Sequence, residues 1–381
     1  MKERLKKRFF LCKTLFSLVL KVWFDILTPK QVMFFKPAID ILTAQGHELL
    51  CTSRDYREAN ELARLRKIDL KVVGKHGGAE RSHKLWQSAS RVLKLTEIIS
   101  AFEPEAAISF SSPEACRVAF GLGVKNIGFN DSPHAVAVAK LSVPLLDLLF
   151  CPWIIPNTPW INYGVQRRNI IKYRGLDPVA WLRRYPKEML STSHAGPNYF
   201  QSRKDPKTSK KIVLIRMEEA QASYIAYKEF ADGTIKMLDK LINNLADIAD
   251  FFILCRYEDQ KDLIAERYAD KATVISNVVD GLALIFQSDV FVGAGGTMTA
   301  EAALLGKPTI SIAPTSFYVE KYLVAQGLIR KASSPEELEK ITRMIATDQG
   351  YADKQLRKAT RAINKMEDPM EKLVSLLTNN T

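Results

Sequence analysis

The chain has 381 residues, which exceeds the size at which one hydrophobic core usually stops growing, so we expect two domains. Hydrophobic residues make up 47% and charged residues 25%, which is typical of a globular protein. The five cysteines are scattered and never form a Cys-x-x-Cys pair, so neither a zinc site nor a disulfide framework is predicted, and the pattern favours small core residues in a reducing compartment. The net charge of +13 predicts an anionic partner, although a solvated basic face would give the same charge.

The N-terminal residues 1–17 form a basic arm with interleaved apolar side chains. The apolar run at residues 14–20 is too short to span a bilayer. Two interpretations stay open: an amphipathic helix lying on an anionic membrane, or a solvated arm that leads into the first strand. We expect a cytoplasmic protein, with peripheral attachment to the inner face of the membrane as the alternative.

The first series of elements alternates strands and helices. Phe34, Phe35, Ala38, Ile39 and Leu42 recur at helical spacing between two strands, and this βαβ unit predicts a parallel sheet with right-handed crossovers. The strands of this series are predicted at residues 18–26, 47–52, 70–73, 106–110 and 125–129.

Polar residues follow several of these strands. Ligands bind outside the carboxyl ends of strands in open α/β sheets, so loops 111–114 and 130–134 should face one crevice. His134 is a candidate general base, because a neutral imidazole can take the proton of an attacking hydroxyl, and Asp131 is a candidate for orienting it. The alternative is that both residues close a tight turn. Asp25, at the end of the first strand, is a rival base, and its alternative role is to cap the following loop or helix.

The pattern becomes rich in prolines and aromatic residues at residues 152–186, and a second α/β series follows. Its strands are predicted at residues 211–216, 250–255, 272–275, 290–292 and 309–313. We therefore predict, after the arm, a first Rossmann-like domain at 18–160, a connection at 161–210, a second Rossmann-like domain at 211–350, and a C-terminal helical segment at 351–381.

A glycine-rich turn joins the strand at 290–292 to a helix at 299–305, and its glycines are Gly293, Gly295 and Gly296. Glycines let the backbone approach a ligand closely, and the N–H groups of a helix's first turn favour an anion. Thr297 or Thr299 can cap that turn or bond a phosphate oxygen, and Glu301 can accept hydrogen bonds from sugar hydroxyls. The alternative is a purely structural turn. The spacing matches neither the Walker loop nor the dinucleotide fingerprint.

The sequence contains no Asp-x-Asp or His-Glu-x-x-His motif, so we expect a metal-independent mechanism and no tightly bound metal or cofactor. It also lacks a recognisable nucleic-acid-binding motif, so we expect no nucleic acid partner.

The glycine-rich run resembles the donor-binding element of GT-B glycosyltransferases and of UDP-N-acetylglucosamine 2-epimerases. The chain is also similar to the microbial family called domain of unknown function 354, which is described as predicted glycosyltransferases. The resemblance covers residues 22–345 and implies an α/β fold of GT-B architecture, with two Rossmann-like doubly wound domains facing a cleft. The stretches that carry it are residues 23–31, 46–48, 52–56, 109–115, 130–135 and 293–306.

By this resemblance, Gly295, Gly296 and Thr297 would hold the diphosphate of a nucleotide-sugar donor, and Glu301 would bind its ribose hydroxyls. Arg216, at the end of the first strand of the second domain, would neutralise the diphosphate as it departs. The alternative for Arg216 is an ion pair at the strand end with Glu218 or Glu219.

The predicted function is metal-independent transfer of a sugar from a nucleotide diphosphate donor, UDP by analogy, to a sugar or lipid-linked acceptor bound by the first domain. One alternative is a UDP-sugar 2-epimerase or hydrolase with the same nucleotide site. It is weakened because residues 215–219 contain no histidine, whereas the epimerases carry one at a comparable strand end. A second alternative is a non-catalytic protein that binds anionic lipid or nucleic acid.

Overall fold

The computed structural model describes residues 19–78, 80–185, 200, 210–217, 227–255, 258–275 and 280–379. The predicted basic arm at 1–17 lies outside these residues, and so do Glu218 and Glu219. In the part of the chain that is described, no helix is long and apolar enough to cross a membrane.

Strands and helices alternate along the described residues. The strands are β1 Lys21–Asp25, β2 Glu48–Asp55, β3 Lys71–Lys75, β4 Ala106–Ser109, β5 Lys125–Phe129, β6 Leu148–Pro152, β7 Ile170–Tyr173, β8 Lys211–Arg216, β9 Ala249–Leu254, β10 Ala272–Ile275, β11 Val290–Gly293, β12 Thr309–Ser311 and β13 Arg330–Lys331. The α-helices are α1 Pro29–Ala44, α2 Arg57–Leu65, α3 Arg81–Phe102, α4 Pro113–Leu122, α5 Val136–Ser142, α6 Thr158–Asn162, α7 Val179–Leu182, α8 Tyr227–Leu245, α9 Glu258–Arg267, α10 Gly281–Gln287, α11 Thr297–Leu304, α12 Tyr318–Ala325, α13 Pro335–Thr347, α14 Tyr351–Asn364 and α15 Pro369–Thr378.

The chain divides into two compact units. The first contains Met1–Cys151, Pro156–Tyr173 and Asp368–Thr381, and the second contains Pro152–Ile155 and Arg174–Glu367. The last helix, α15, therefore belongs to the first unit, where it packs against α1.

The first unit is built on a seven-stranded sheet with the order β3-β2-β1-β4-β5-β6-β7. The strand pairs from β3 to β6 are parallel. Side chains alternate across β1, so Trp23 packs in one core cluster with residues of α3 and α4. Phe24 contacts Phe35 of α1, with ring centroids 5.6 Å apart, in a separate aromatic cluster.

The second unit is built on a six-stranded sheet with the order β10-β9-β8-β11-β12-β13. All its strand pairs are parallel. Central strands β8 and β11 are almost wholly apolar and buried, which is typical of a parallel sheet covered by helices on both faces. The helices α8 and α13 pack against each other, as do α11 and α14.

The predicted α/β class with two Rossmann-like units is confirmed. Three predicted elements, at 125–129, 211–216 and 272–275, have the bounds of β5, β8 and β10. Two strands of the first sheet were not predicted: β6 lies in an apolar stretch of the predicted first domain, and β7 lies in the stretch that we interpreted as an irregular connection. This edge strand is short and mostly half-buried, so it has no continuous apolar run to mark it in the sequence.

Candidate functional site

Each sheet has a point where the strand order reverses. In the first unit it lies between β1 and β4, and in the second between β8 and β11. At such a point the loops after the two neighbouring strands run in opposite directions and leave a crevice outside the carboxyl ends of the strands. Ligands of doubly wound folds bind in this crevice. The predicted residues Asp25, Arg216 and Gly293 are the last residues of β1, β8 and β11.

The glycine-rich turn of the second unit needs glycine for two different reasons. A Cβ on Gly293 would lie 2.3 Å from Thr299 Oγ1, so a side chain has no room there. Gly295 and Gly296 have φ values of +96° and +83°, which side chains rarely adopt. Thr299 Oγ1 donates a hydrogen bond of 3.0 Å to the Gly295 carbonyl, which ties the turn to the first turn of α11.

The N-terminus of α11 meets this turn without a side-chain cap. Gly296 occupies the N-cap position and is exposed, and Thr297, the first helical residue, is half-buried. A helix N-terminus carries partial positive charge on its first N–H groups. The predicted phosphate-binding residues Gly295, Gly296 and Thr297 therefore lie together at a helix N-terminus with free N–H groups.

Arg216 lies beside the turn, because Gly293 and Arg216 are register partners on β11 and β8. Its Nη1 atom donates to the carbonyls of Leu254 at 3.1 Å and Cys255 at 3.2 Å. These contacts hold the guanidinium at the carboxyl edge of the sheet. The structure thus brings together the cation and the glycines that the sequence suggested separately. The alternative partners of Arg216, Glu218 and Glu219, lie outside the described residues.

Glu301 is buried one turn into α11, and Trp181 of α7 donates from Nε1 to its Oε1 atom at 2.9 Å. Sequence reasoning missed Trp181, because 120 residues separate it from Glu301 and the aromatic-rich stretch around it has no clear periodicity. The tryptophan fixes the orientation of the carboxylate. Ribose binding by Glu301 stays a prediction.

In the first unit, Asp25 forms a buried ion pair with Arg91 of α3. The distances are 2.6 Å from Nη2 to Oδ1 and 3.1 Å from Nη1 to Oδ2. Thr52 donates to Oδ1 at 2.7 Å, and both charged side chains are almost completely shielded from solvent. Burial by itself would raise the pKa of Asp25, but the Arg91 charge and the hydrogen bonds from Arg91, Thr52 and Ser112 bring the pKa below its ordinary value.

This environment favours a structural role for Asp25. A general base must reach the proton that it abstracts, and the Asp25 side chain has no exposed surface. It does not cap α1 either, since Thr28 occupies the N-cap and accepts from the Gln31 N–H group. Arg91 was not predicted, because an arginine on a long helix normally faces solvent. The role of Asp25 as a base stays a prediction that the geometry does not favour.

The loop that carries the other two predicted catalytic residues follows β5. Asp131 forms an ion pair with Lys30, in which Nζ lies 2.6 Å from Oδ2. Ser132 Oγ donates a hydrogen bond to Asp131 Oδ1 at 2.8 Å. Lys30 also lies 4.2 Å from the centre of the Phe110 ring. His134 is half-buried; burial lowers its pKa, and the Asp131 charge opposes that shift. The imidazole is therefore mainly neutral at pH 7, as a general base requires.

Hydrogen bonds between distant segments hold this loop in place. Ser111 has a φ of +54°, and its hydroxyl donates to the Phe129 carbonyl at 2.9 Å. Asn130 Nδ2 donates to Ser111 Oγ at 3.0 Å, and Tyr163 Oη donates to the Pro133 carbonyl at 2.9 Å. These contacts cross-link the loops after β4 and β5. The loop geometry depends on them, and no local sequence pattern reveals such long-range bonds.

Potential metal ligands do not cluster in the described part of the chain, where no group of three or more His, Cys, Asp or Glu side chains could hold an ion.

Comparison with known sequences identifies a family. The family described as "Protein of unknown function (DUF354)" matches residues 20–381. The chain belongs to this family. The predicted resemblance is thereby confirmed. An uncharacterized protein of Methanocaldococcus jannaschii is 30% identical over 320 residues, which cover 84% of this chain and 89% of that protein.

Comparison with solved structures identifies the fold. The UDP-GlcNAc 2-epimerase of Methanocaldococcus jannaschii, solved with UDP-GlcNAc and UDP, has a TM-score of 0.71 at 14% identity, covering 94% of this chain and 100% of that chain. The UDP-GlcNAc 2-epimerase of Neisseria meningitidis, bound to UDP-GlcNAc, has a TM-score of 0.69 at 14% identity with the same coverage. A spinosyn rhamnosyltransferase has a TM-score of 0.59 at 16% identity, again with the same coverage. This chain has the two Rossmann-like units of the GT-B fold.

Proposed function

We propose that this protein is a nucleotide-sugar enzyme whose donor diphosphate binds at the reversal point of the second sheet. The main support is that Arg216 and Gly293 are register partners on neighbouring strands. The two positive-φ glycines that precede α11, Gly295 and Gly296, follow Gly293 in the same turn. A fixed cation and a helix N-terminus that share one edge form a site for a diphosphate. The UDP and UDP-sugar named with the similar solved structures are consistent with this ligand class.

Within this class we propose a metal-independent glycosyltransferase. The acceptor hydroxyl loses its proton to the unprotonated Nε2 of His134, since Nδ1 is buried, while its oxygen bonds to the anomeric carbon. The bond from that carbon to the donor diphosphate breaks, and the nucleoside diphosphate leaves with the electron pair. Arg216 and the N–H groups at the start of α11 stabilise the charge that develops on the leaving group. Asp131 opposes the fall in the His134 pKa and so favours proton uptake.

A UDP-sugar 2-epimerase or hydrolase is the second candidate. It is supported by the higher TM-scores of the UDP-GlcNAc 2-epimerases, 0.65 to 0.71, compared with 0.58 to 0.63 for three glycosyltransferases. Incubation with donor alone separates the two activities. An epimerase or hydrolase converts the donor without an acceptor, whereas a transferase leaves most of it intact until an acceptor hydroxyl is supplied.

Ligand-induced thermal stabilisation tests the donor site. The protein is titrated with UDP, GDP, dTDP and CMP, and one diphosphate at about 100 times its dissociation constant should stabilise the native state by about 2.7 kcal/mol. Arg216→Ala and Gly296→Ala should lose most of this response.

Gly46→Ala provides a matched control for Gly296→Ala. Both glycines have a φ of +83°, and neither has an atom within 4 Å of the position that a Cβ would occupy. The two alanine variants should therefore have similar backbone strain, and only Gly296→Ala should bind the nucleotide less tightly. Equal loss of response in both variants, or no response of the wild type to any nucleotide, contradicts the proposed site.

A further inference from the structure

The outer surface of α3, α4 and α5 exposes an unusual number of large apolar side chains. These helices are neighbours in one layer of the first unit, since α3 packs against α4 and α4 against α5. We call this surface the α3–α5 face. Its exposed apolar side chains are Leu85, Trp86 and Leu93 on α3, Phe120 and Leu122 on α4, and Val136 and Leu141 on α5.

The exposure of these side chains is large. Leu85 is 73% exposed, Leu93 70% and Trp86 67%. Elsewhere in the described residues, exposed large apolar side chains occur at most one to a helix or strand. Isolated examples are normal on a soluble protein, whereas a continuous apolar surface indicates an interaction site.

The apolar side chains of α3 lie on one stripe of the helix. Leu85, Ala89 and Leu93 are spaced four residues apart, which places them in a row along the helix, and Trp86 lies next to that row. All four are exposed. The opposite side of the helix is the one that packs in the core, so the stripe is not a part of the fold's interior.

The charged residues on the same helices favour an anionic partner. The exposed cations are Arg81, Lys84 and Lys94 on α3, Arg117 on α4 and Lys140 on α5. Glu97 is the exposed acid on these three helices, whereas Glu114 is buried. A second copy of the chain would bring like charges together, which disfavours self-association through this face.

We propose that the α3–α5 face docks on an anionic lipid surface. Tryptophan prefers the boundary between lipid headgroups and acyl chains. Lysine and arginine extend their charged ends toward anionic headgroups while their methylene stems cover apolar surface. Leucine and phenylalanine side chains enter the acyl boundary, so apolar burial and charge attraction act together.

Docking in this way would present the loop after β5 to lipid. His134 lies two residues before Val136, the first residue of α5 and a member of the face. A lipid-linked acceptor would then reach the general base without leaving the membrane surface. This consequence rests on the proposed transferase activity, whereas the docking itself does not.

Vesicle cosedimentation without nucleotide tests the docking independently of catalysis. The wild type should bind vesicles of phosphatidylglycerol in phosphatidylcholine and not vesicles of phosphatidylcholine alone. A variant with Leu85→Ser, Phe120→Ser and Leu141→Ser removes one apolar side chain from each helix. It should bind at least about tenfold more weakly, because each side chain would lose most of its burial.

A second triple variant supplies the control. Leu263→Ser, Phe286→Ser and Leu356→Ser make the same chemical changes at exposed positions of the second unit, and this variant should bind as the wild type does. Equal weakening of both variants contradicts the proposal.

Fluorescence shows whether this face, rather than another part of the chain, meets the lipid. Trp86 is exposed, whereas Trp153, in the second unit, is half-buried and Trp23, Trp160 and Trp181 are buried, so lipids with brominated acyl chains should quench mainly Trp86. Trp86→Phe should abolish most of that quenching while the protein still cosediments. Quenching that persists in Trp86→Phe contradicts insertion of this face.

Besides an absence of binding to phosphatidylglycerol, two results would overturn the proposal. One is that deletion of residues 1–17 abolishes vesicle binding while the triple variant of the face binds normally. The other is that the wild type forms a dimer in sedimentation velocity and the triple variant of the face is a monomer, because a second copy would then cover the face.

Discussion

Replacement of Asp25 by asparagine should destabilise the first unit rather than remove a catalytic base. The substitution keeps the shape of the side chain but removes the negative charge that faces the buried Arg91 guanidinium, and it replaces one of the two oxygens that accept from Arg91 at 2.6 Å and 3.1 Å by an NH2 donor. Loss of one partner from a buried ion pair costs about 3–5 kcal/mol. Glu114 Oε2 lies 3.8 Å from Arg91 Nη1 and compensates part of the charge, so we expect about 3 kcal/mol.

The effect should depend on pH in a defined direction. The pKa of Asp25 is lower in the folded protein than its ordinary value of 3.8. The ion pair therefore stabilises the fold fully above that value, and its contribution is lost as the pH falls through the lower, folded pKa. The difference in stability between wild type and Asp25→Asn should be constant near neutral pH and shrink in strong acid.

Native-state hydrogen exchange measures this effect locally. The amides of β1 should exchange faster in Asp25→Asn at neutral pH, by an amount that corresponds to the lost free energy of opening. Asp40→Asn, which removes a carboxylate from the exposed pair with Lys36, is the control and should change stability by about 0.5 kcal/mol or less.

The result that refutes this reasoning is a loss smaller than about 1 kcal/mol in Asp25→Asn, far below the cost expected for a buried pair. A variant as stable as the wild type but without turnover would instead support Asp25 as the base.

Three other outcomes are expected. If His134 is the base, turnover should fall on acidification with a midpoint below 6.5, because burial lowers its pKa, and a flat profile from roughly pH 5 to 8 would exclude this role. Gly293→Ala should lower the free energy of unfolding by about 1–3 kcal/mol in denaturant titrations, because the added Cβ would lie 2.3 Å from Thr299 Oγ1. A second substitution in that variant, Thr299→Ala, should recover part of the loss, and no recovery would contradict the clash. Cys51 and Cys116 should resist a thiol reagent in the native protein at mildly alkaline pH and react in denaturant, because burial raises the pKa of each thiol to about 12. Mass spectrometry of the peptides measures the labelling, and labelling of either cysteine in the native protein would contradict the prediction.

Local patterns were sufficient to predict the alternation of strands and helices and the two-sheet architecture. Buried parallel strands such as β8 are continuous apolar runs, so this signal is present within a few residues of sequence. The glycine turn before α11 was predictable for the same reason. Its backbone conformation is a local property of Gly295 and Gly296.

Edge elements were less predictable. β7 makes few buried apolar contacts, so its sequence lacks the run that marks a central strand. The position of α15 in the first unit could not be predicted either, since only its packing against α1 decides it. The sequence of an amphipathic helix does not indicate which of the two sheets the helix will cover.

The sequence by itself determined which residues occupy the carboxyl ends of the strands, and therefore that Arg216, His134 and Asp131 are candidates for chemistry. Tertiary structure alone decided their partners: Lys30 for Asp131, the strand-end carbonyls for Arg216, Trp181 for Glu301. It also decided which helical surfaces remain exposed. The physical reason is that hydrogen bonds and ion pairs between distant segments form only after the sheets bring those segments together, whereas strand and turn propensities act between neighbouring residues.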